Sequence, residues 1–237
     1  MRLLYRVAIK MIYAISDLHG CYEKYIKMLE KINLSVSDTL YVLGDIIDRE
    51  SGSMDILFDM MNRPNVKPII GNHESLALGP MKNIALSLAT AATVQNTKAY
   101  KLWMLSDGES TEKAFRALNG EMQKKVIDYI EAFSIYDEIT VGGRNFHLSH
   151  TLPDYNPNKP IHDVSYLEFI YGQTDYKHSY ADDTLFVTGH TPTMLIDPAY
   201  KGRIYKKNNH IAIDCGLVFG NPLGCICLDT LEEFYVE

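Results

Sequence analysis

Residues 40–49 read Leu40-Tyr41-Val42-Leu43-Gly44-Asp45-Ile46-Ile47-Asp48-Arg49: an apolar, strand-forming run stops at a glycine, and two carboxylates and a guanidinium follow. A strand buried on both faces reads as a continuous apolar run, and ligand sites of α/β sheets open just beyond the carboxyl ends of such strands. Two further stretches share the design, Ile12-Tyr13-Ala14-Ile15-Ser16-Asp17-Leu18-His19-Gly20 and Lys67-Pro68-Ile69-Ile70-Gly71-Asn72-His73-Glu74. Side by side, these strand ends bring acids, imidazoles and an amide to one sheet edge. That combination reads as a metal site.

Working outward, Tyr22, Tyr25, Ile26, Leu29 and Ile32 fall at helical spacing, so strand 12–16, this helix and strand 39–43 form a βαβ unit with a right-handed crossover. A helix capped by Ser53 runs to about Asn62, and Pro64 ends it before strand 67–70. Residues 75–133 read as helical: Leu76 to Val94 with a break at Gly79-Pro80, Ala99 to Leu105, and Glu121 to Phe133. From 135 the pattern is β. A hairpin of 135–141 and 145–149 turns at Gly142-Gly143, and a proline-bearing loop covers 151–163. A short helix over 164–171 and strands 184–188, 194–196, 203–205, 210–214, 223–228 and 233–236 complete an α/β chain. Residues 11–237 are read as one domain and 1–10 as an N-terminal extension, with Met11 an alternative start.

A formal net charge of −7 argues against a dedicated nucleic-acid binder, which would carry a basic face. Arg6 and Lys10 interrupt the apolar N-terminal stretch, and no run is long enough for a transmembrane helix, so neither a leader nor a membrane partner is expected. Cys21, Cys215, Cys225 and Cys227 suggest no disulfide framework, which fits a reducing cytoplasm.

Two more strand-end histidines lie in Phe146-His147-Leu148-Ser149-His150 and in Phe186-Val187-Thr188-Gly189-His190-Thr191. With these, DLHG, GDIIDR, GNHE, a strand-end histidine and VTGHT follow one another in the order that resembles the metal-dependent phosphoprotein phosphatases of the calcineurin-like superfamily, their compact bacterial and bacteriophage members above all. The segment IDCGLVFG (213–220) is similar to the family's terminal motif. The resemblance implies a metallophosphoesterase sandwich of two mixed β-sheets flanked by helices.

It also implies a centre of two divalent ions, manganese ahead of iron, zinc or nickel. Asp45 would bridge them, Asp17 and His19 would complete one ligand set, and Asn72, His150 and His190 the other. In the family a hydroxide between the ions attacks phosphorus directly. His73 would then be the general acid, Asp48 its orienting carboxylate, and Arg49 the phosphate-binding group. His147 is read as a packed strand residue, and His162, His178 and His210 are given no role. The Met54, Met60, Met61 cluster is read as core. Trp103 lies in a segment similar to a family motif but with Ser106-Asp107 in place of Asn-Gly, so no binding role is carried over.

Two departures stand out. Glu50 occupies the position of a usual glycine, and no arginine occurs from 145 to 202, where the family has a second phosphate-binding one; Gln173 stands near its place, with Lys177 a substitute. The expected activity is that of a phosphomonoesterase, a serine/threonine protein phosphatase acting on phosphoproteins. The alternatives are a diadenosine polyphosphate or nucleotide hydrolase of the same fold and a catalytically inactive metal-bound scaffold. The 151–183 rim carries Asp154, Asp163, Glu168, Asp175, Asp182 and Asp183 against Lys159 and Lys177, which disfavours polyphosphates, although its tyrosines could stack on a base.

Overall fold

The computed structural model describes residues 10–86 and 95–237. The N-terminal extension up to residue 9 and the end of the helix expected to reach Val94 lie outside these residues. Two five-stranded mixed sheets pack face to face. The first has the order β10-β9-β1-β2-β3, from β1 (Ile12–Ile15), β2 (Thr39–Leu43), β3 (Val66–Ile69), β9 (Leu223–Cys227) and β10 (Glu233–Val236). Its strands β1, β2 and β3 are parallel, and β9 closes antiparallel onto β1. The second has the order β4-β5-β6-β8-β7, from β4 (Tyr136–Val141), β5 (Arg144–Ser149), β6 (Thr184–Thr188), β7 (Tyr205–Lys207) and β8 (His210–Ala212). There β5, β6 and β8 are parallel.

Strand alternation explains the layers. Ala14, Tyr41, Leu43 and Ile69 point between the sheets and pack with Phe146, Leu148, Val187 and Ile211. Tyr13, Ile15, Leu40 and Val42 face the helices instead. These helices are α1 (Tyr22–Lys31), α2 (Ser53–Met61), α3 (Asn72–Ala85), α4 (Lys98–Leu105), α5 (Glu109–Arg116) and α6 (Gly120–Glu131). Met54 and Met60 lie in this layer with Met61 against it. The outer face of the second sheet carries His147, stacked on Tyr136 with ring centroids 5.0 Å apart, and Phe186, covered by Leu152 and Phe169 from the rim. Cys215, Cys225 and Cys227 are buried free thiols. Among the described residues no helix is long and apolar enough to cross a membrane.

The structure corrects several sequence expectations. The strand expected at 194–196 is a helical turn, α8 (Thr193–Ile196): Pro192 fixes the entry φ at −51°, and the Thr193 amide donates to Asp214 O at 2.9 Å rather than to a neighbouring strand. The break expected at Gly79-Pro80 does not occur, since α3 runs through both residues. Burial of Ala77, Met81 and Ile84 outweighs the hydrogen bond that Pro80 cannot donate. Helix α5 falls within the block read as helical but between the helices named there; it is polar, and of its residues Thr111 and Phe115 are buried. The short helix expected over 164–171 is confined to α7 (Glu168–Tyr171), and β7 begins at Tyr205.

Candidate metal centre

The carboxyl ends of β1, β2 and β3 meet those of β5 and β6 where the two sheets come together. The loops after β1 and β2 interlock: Asp17, His19 and Gly20 donate their amides to Gly44 O, Asp45 O and Ile46 O at 3.1, 2.9 and 2.9 Å. Asp17, His19, Asp45, Asp48 and Arg49 all adopt positive φ, conformations that cost non-glycine residues about 1–3 kcal/mol each and persist only where the surroundings enforce them. Gly44, at φ 80°, must be glycine for a second reason: a Cβ there would lie 2.6 Å from Gly71 Cα and from His150 Nδ1.

Glu74, overlooked in the sequence beyond its place in GNHE, enforces much of this. Its buried carboxylate accepts the amides of Asp45 and Gly71 on one oxygen (3.0 and 2.9 Å) and of Ile46 and Ile47 on the other (2.8 and 3.2 Å). Burial and the charge of Asp45 push Glu74 up to about 7 against the pull of those amides. Glu50 is accommodated without strain, because the positive φ falls at Asp48 and Arg49 instead.

Asp45 stands at the middle. Its Oδ2 lies 3.8 Å from both His19 Nε2 and His73 Nε2, and its Oδ1 lies 3.4 Å from His150 Nε2. Two triads therefore share it, His19–Asp45–His73 and Asp45–His150–His190. Asn72 Oδ1 is 2.9 Å and His190 Nδ1 3.0 Å from His150 Nε2. Asp17 stands apart from both triads, its two oxygens turned to the His190 amide at 3.2 and 3.0 Å. His73, expected as an acid rather than a ligand, directs Nε2 at the same Asp45 oxygen as His19 does.

The donor set fits divalent cations. His150 places Nδ1 2.8 Å from Leu43 O, and His19 places Nδ1 3.1 Å from Ile47 O. Those carbonyls accept the Nδ1 protons, so each Nε2 turns a lone pair toward Asp45, with the Asn72 oxygen beside His150. Lone pairs converging on a buried carboxylate are what a cation relieves. Burial raises Asp17, and the neighbouring Asp214 and Asp45 raise it further. Burial likewise pushes Asp214 up to about 7, with Asp45 adding to the effect, and pushes His19 down to about 3 and His190 to about 4. Burial opposes ionisation of Asp45 as well, but His150, His73, His19 and His190 together hold its carboxyl well below the usual range.

Asp48 is fully buried and makes no ion pair with Arg49. Its carboxylate meets His73 Nδ1 at 2.8 Å and accepts from Trp103 Nε1, and its amide donates to Ser53 Oγ (3.1 Å) and Thr111 Oγ1 (2.8 Å). For His73, burial opposes the charged form, yet the bond to Asp48 and the charges of Asp45, Asp48 and Glu74 prevail and raise it. Arg49, half-buried, packs its guanidinium over Phe219 (5.7 Å) and reaches Asp107 Oδ2 at 3.8 Å. Gln173 and Lys177 are exposed and line a shallow hollow of the rim with Tyr155 and Tyr176. His147 is buried with Nδ1 3.1 Å from Glu138, His178 stacks on Tyr155, and His210 Nε2 faces His178 O at 2.9 Å. The His162 side chain lies outside what the structure describes.

The calcineurin-like phosphoesterase profile matches residues 10–219. The symmetrical bis(5'-nucleosyl)-tetraphosphatase of Buchnera aphidicola is 25% identical over 177 residues, covering 73% of this chain and 60% of that protein. That of Salmonella typhimurium is 38% identical over 64 residues, 26% of this chain and 23% of the relative, so the chain matches less than two thirds of either relative's length. Among solved structures, a protein provisionally assigned as a diadenosine tetraphosphatase superposes with a TM-score of 0.61 at 15% identity, covering 97% of this chain and 94% of that one. A serine/threonine phosphatase from Saccharomyces cerevisiae gives the same TM-score of 0.61 at 12% identity, covering 92% and 72%. At such identities the structural likenesses bear on the fold alone. With both sheets, the strand-end acids and imidazoles and the profile match in agreement, the chain belongs to the calcineurin-like phosphoesterase family, a family of metal-dependent phosphoester hydrolases.

Proposed function

We propose that the chain hydrolyses dinucleoside polyphosphates, cutting a diadenosine tetraphosphate-like substrate into two nucleoside diphosphates. The observation that carries this reading is the match to symmetrical bis(5'-nucleosyl)-tetraphosphatases over 73% of the chain. It favours a dinucleotide hydrolase over the serine/threonine protein phosphatase that the motifs lead one to expect. The surroundings of the centre support it. Tyr171 is exposed, and Phe219 is exposed beneath Arg49. These are two aromatic faces on which a base can stack.

Asp17, His19 and Asp45 would hold one cation, and Asp45, Asn72, His150 and His190 the other, with manganese the first choice for this thiolate-free set. Two bound divalent ions supply Lewis-acid neutralisation of phosphoryl oxygens and a water of lowered pKa. The chain's own groups do the rest. Arg49 binds phosphate oxygens through its fork of donors. His73, its Nδ1–H held by Asp48, presents Nε2 to the leaving oxygen and gives it a proton. A departing nucleoside diphosphate needs that proton less than an alkoxide does.

One observation favours the protein phosphatase reading: the rim carries Asp154, Glu168, Asp175, Asp182 and Asp183, a surface suited to a phosphoprotein with basic flanks. Turnover of diadenosine tetraphosphate and of a phosphoserine peptide by the manganese-reconstituted enzyme separates the two. Faster turnover of the dinucleotide with ADP as the nucleotide product is expected. A higher kcat/KM on the peptide would overturn the proposal, and ATP plus AMP as products would overturn its symmetrical part.

A further inference from the structure

Trp103 is the sole tryptophan of the chain and is fully buried. It belongs to α4, in the helical segment between the two halves that bear the motifs, yet its Nε1 lies 3.1 Å from both carboxylate oxygens of Asp48. The same carboxylate meets His73 Nδ1 at 2.8 Å. The indole itself is wedged: a Cβ on Gly108 would lie 2.5 Å from Nε1, and Tyr100 packs edge-on with centroids 6.3 Å apart. Asp48 is pinned at its other end too, by Ser53 and Thr111 on its amide. A carboxylate gripped by an imidazole and an indole in a dry site has one rotamer open to it.

We infer that Trp103 is a positioning residue: its N–H fixes the Asp48 carboxylate, which in turn fixes the tautomer and direction of the His73 ring toward the leaving oxygen. The inference rests on the reading of His73 as proton donor. In that step the proton passes from His73 Nε2 to the oxygen whose bond to phosphorus breaks, and that bond's electron pair stays on the oxygen. General acid catalysis as a whole contributes roughly 10²–10⁴-fold, and loss of orientation alone removes part of that effect, on the order of tenfold. A tryptophan that merely fills core would affect stability and leave the dependence on the leaving group unmoved.

The test compares phenyl phosphate, whose leaving group is basic, with 4-nitrophenyl phosphate, whose leaving group departs without a proton. Wild type, Trp103→Phe, Asp48→Asn, the double variant and His73→Asn are measured after manganese loading, with metal content determined. Trp103→Phe is expected to lose about tenfold more kcat on phenyl phosphate than on the nitrophenyl ester, with KM and metal content little changed. In the Asp48→Asn background the same substitution should cost nothing further. Equal losses on both substrates, or full additivity with Asp48→Asn, would overturn the inference while a leaving-group bias in His73→Asn kept the proton-donor reading intact. Absence of that bias in His73→Asn would instead overturn the reading beneath it. Should Trp103→Phe fail to fold, Gly108→Ala, which keeps the indole but crowds its N–H, must show the same bias, and equal losses there would be equally decisive.

Discussion

Replacing Glu74 by glutamine tests how the strained loop after β2 is held. The four amides that reach this carboxylate divide two and two between its oxygens. A glutamine keeps one oxygen, and its amide nitrogen, a donor, must face the other two amides. Whichever way the side chain turns, two buried N–H groups lose their acceptor. Each costs about 1–3 kcal/mol, so the variant should lose roughly 2–6 kcal/mol. For a domain of this size that is about 4 °C of Tm at the least, at about 2–4 °C per kcal/mol. The loop would relax from the positive φ of Asp45, and the Asp45 carboxylate would move with it. Thermal unfolding with and without manganese, together with metal content by elemental analysis, reads both effects. A variant melting within about 1 °C of wild type and loading the same metal would refute the account of Glu74.

Other expectations follow from the same geometry. Asp45→Asn should lower loading at both cation sites and collapse activity, whereas His150→Asn or His190→Asn should leave partial occupancy; full loading of Asp45→Asn with near-normal turnover would sink the bridging role. Arg49→Ala should raise KM and lower kcat on any phosphate ester if, as proposed, the guanidinium meets phosphate before and during the transition state; wild-type kinetics would make it a surface group paired only with Asp107. Gln173→Arg should lower KM if the exposed rim position faces the substrate phosphate, and an unchanged KM would refute that placement. Asp38 accepts the Met11 and Ser35 amides at 2.9 and 2.8 Å; burial pulls its pKa upward, but these bonds and the Ser35 hydroxyl outweigh it and leave it lowered. Its stabilisation is thus present above the unfolded carboxyl pKa and lost as pH falls through the folded one. Asp38→Asn should lower Tm at pH 7 and much less at pH 3, and equal shifts at both would contradict the assignment.

Where hydrophobic pattern and geometry coincide, the fold was legible. Parallel strands buried on both faces left unmistakable apolar runs at 12–15, 39–43 and 184–188, each ended by the residues that converge at the centre. The short run at 194–196 misled because a few apolar residues satisfy either period, and only the Thr193–Asp214 bond decides. Helix α5 was hidden by its polarity. Glu74 was readable in part, since an acid at the third position of a helix can reach back to the amide that precedes the helix, as it does to Gly71 at 2.9 Å. Asp214 ends a strand-like run as the motif acids do, so it too carried a signal. Trp103 lies in a segment similar to a family motif, but its role carried no signal, since its partner is 55 residues away and nothing local marks an indole as a hydrogen-bond donor to a carboxylate. The substrate was least legible of all: the acidic rim and the aromatic faces point in different directions, and the residues of the centre are indifferent between them.

The pairing of β1 with β9, Tyr13 opposite Cys227, sets a timetable for synthesis. The helices and β2 can gather on β1 early, but its other edge stays bare until the chain has grown past Leu223. At ribosomal speeds that interval is roughly 10–40 s. Throughout it a nearly all-apolar strand displays unpaired amides and carbonyls, the template on which other chains add. His150 and His190 arrive late in the same interval, so the cation set they share with Asp45 is completed late, and the earlier set at His19 and Asp45 does nothing to cover that edge of β1. A chaperone that shields β1 during synthesis should therefore raise the yield of this protein more than added metal does.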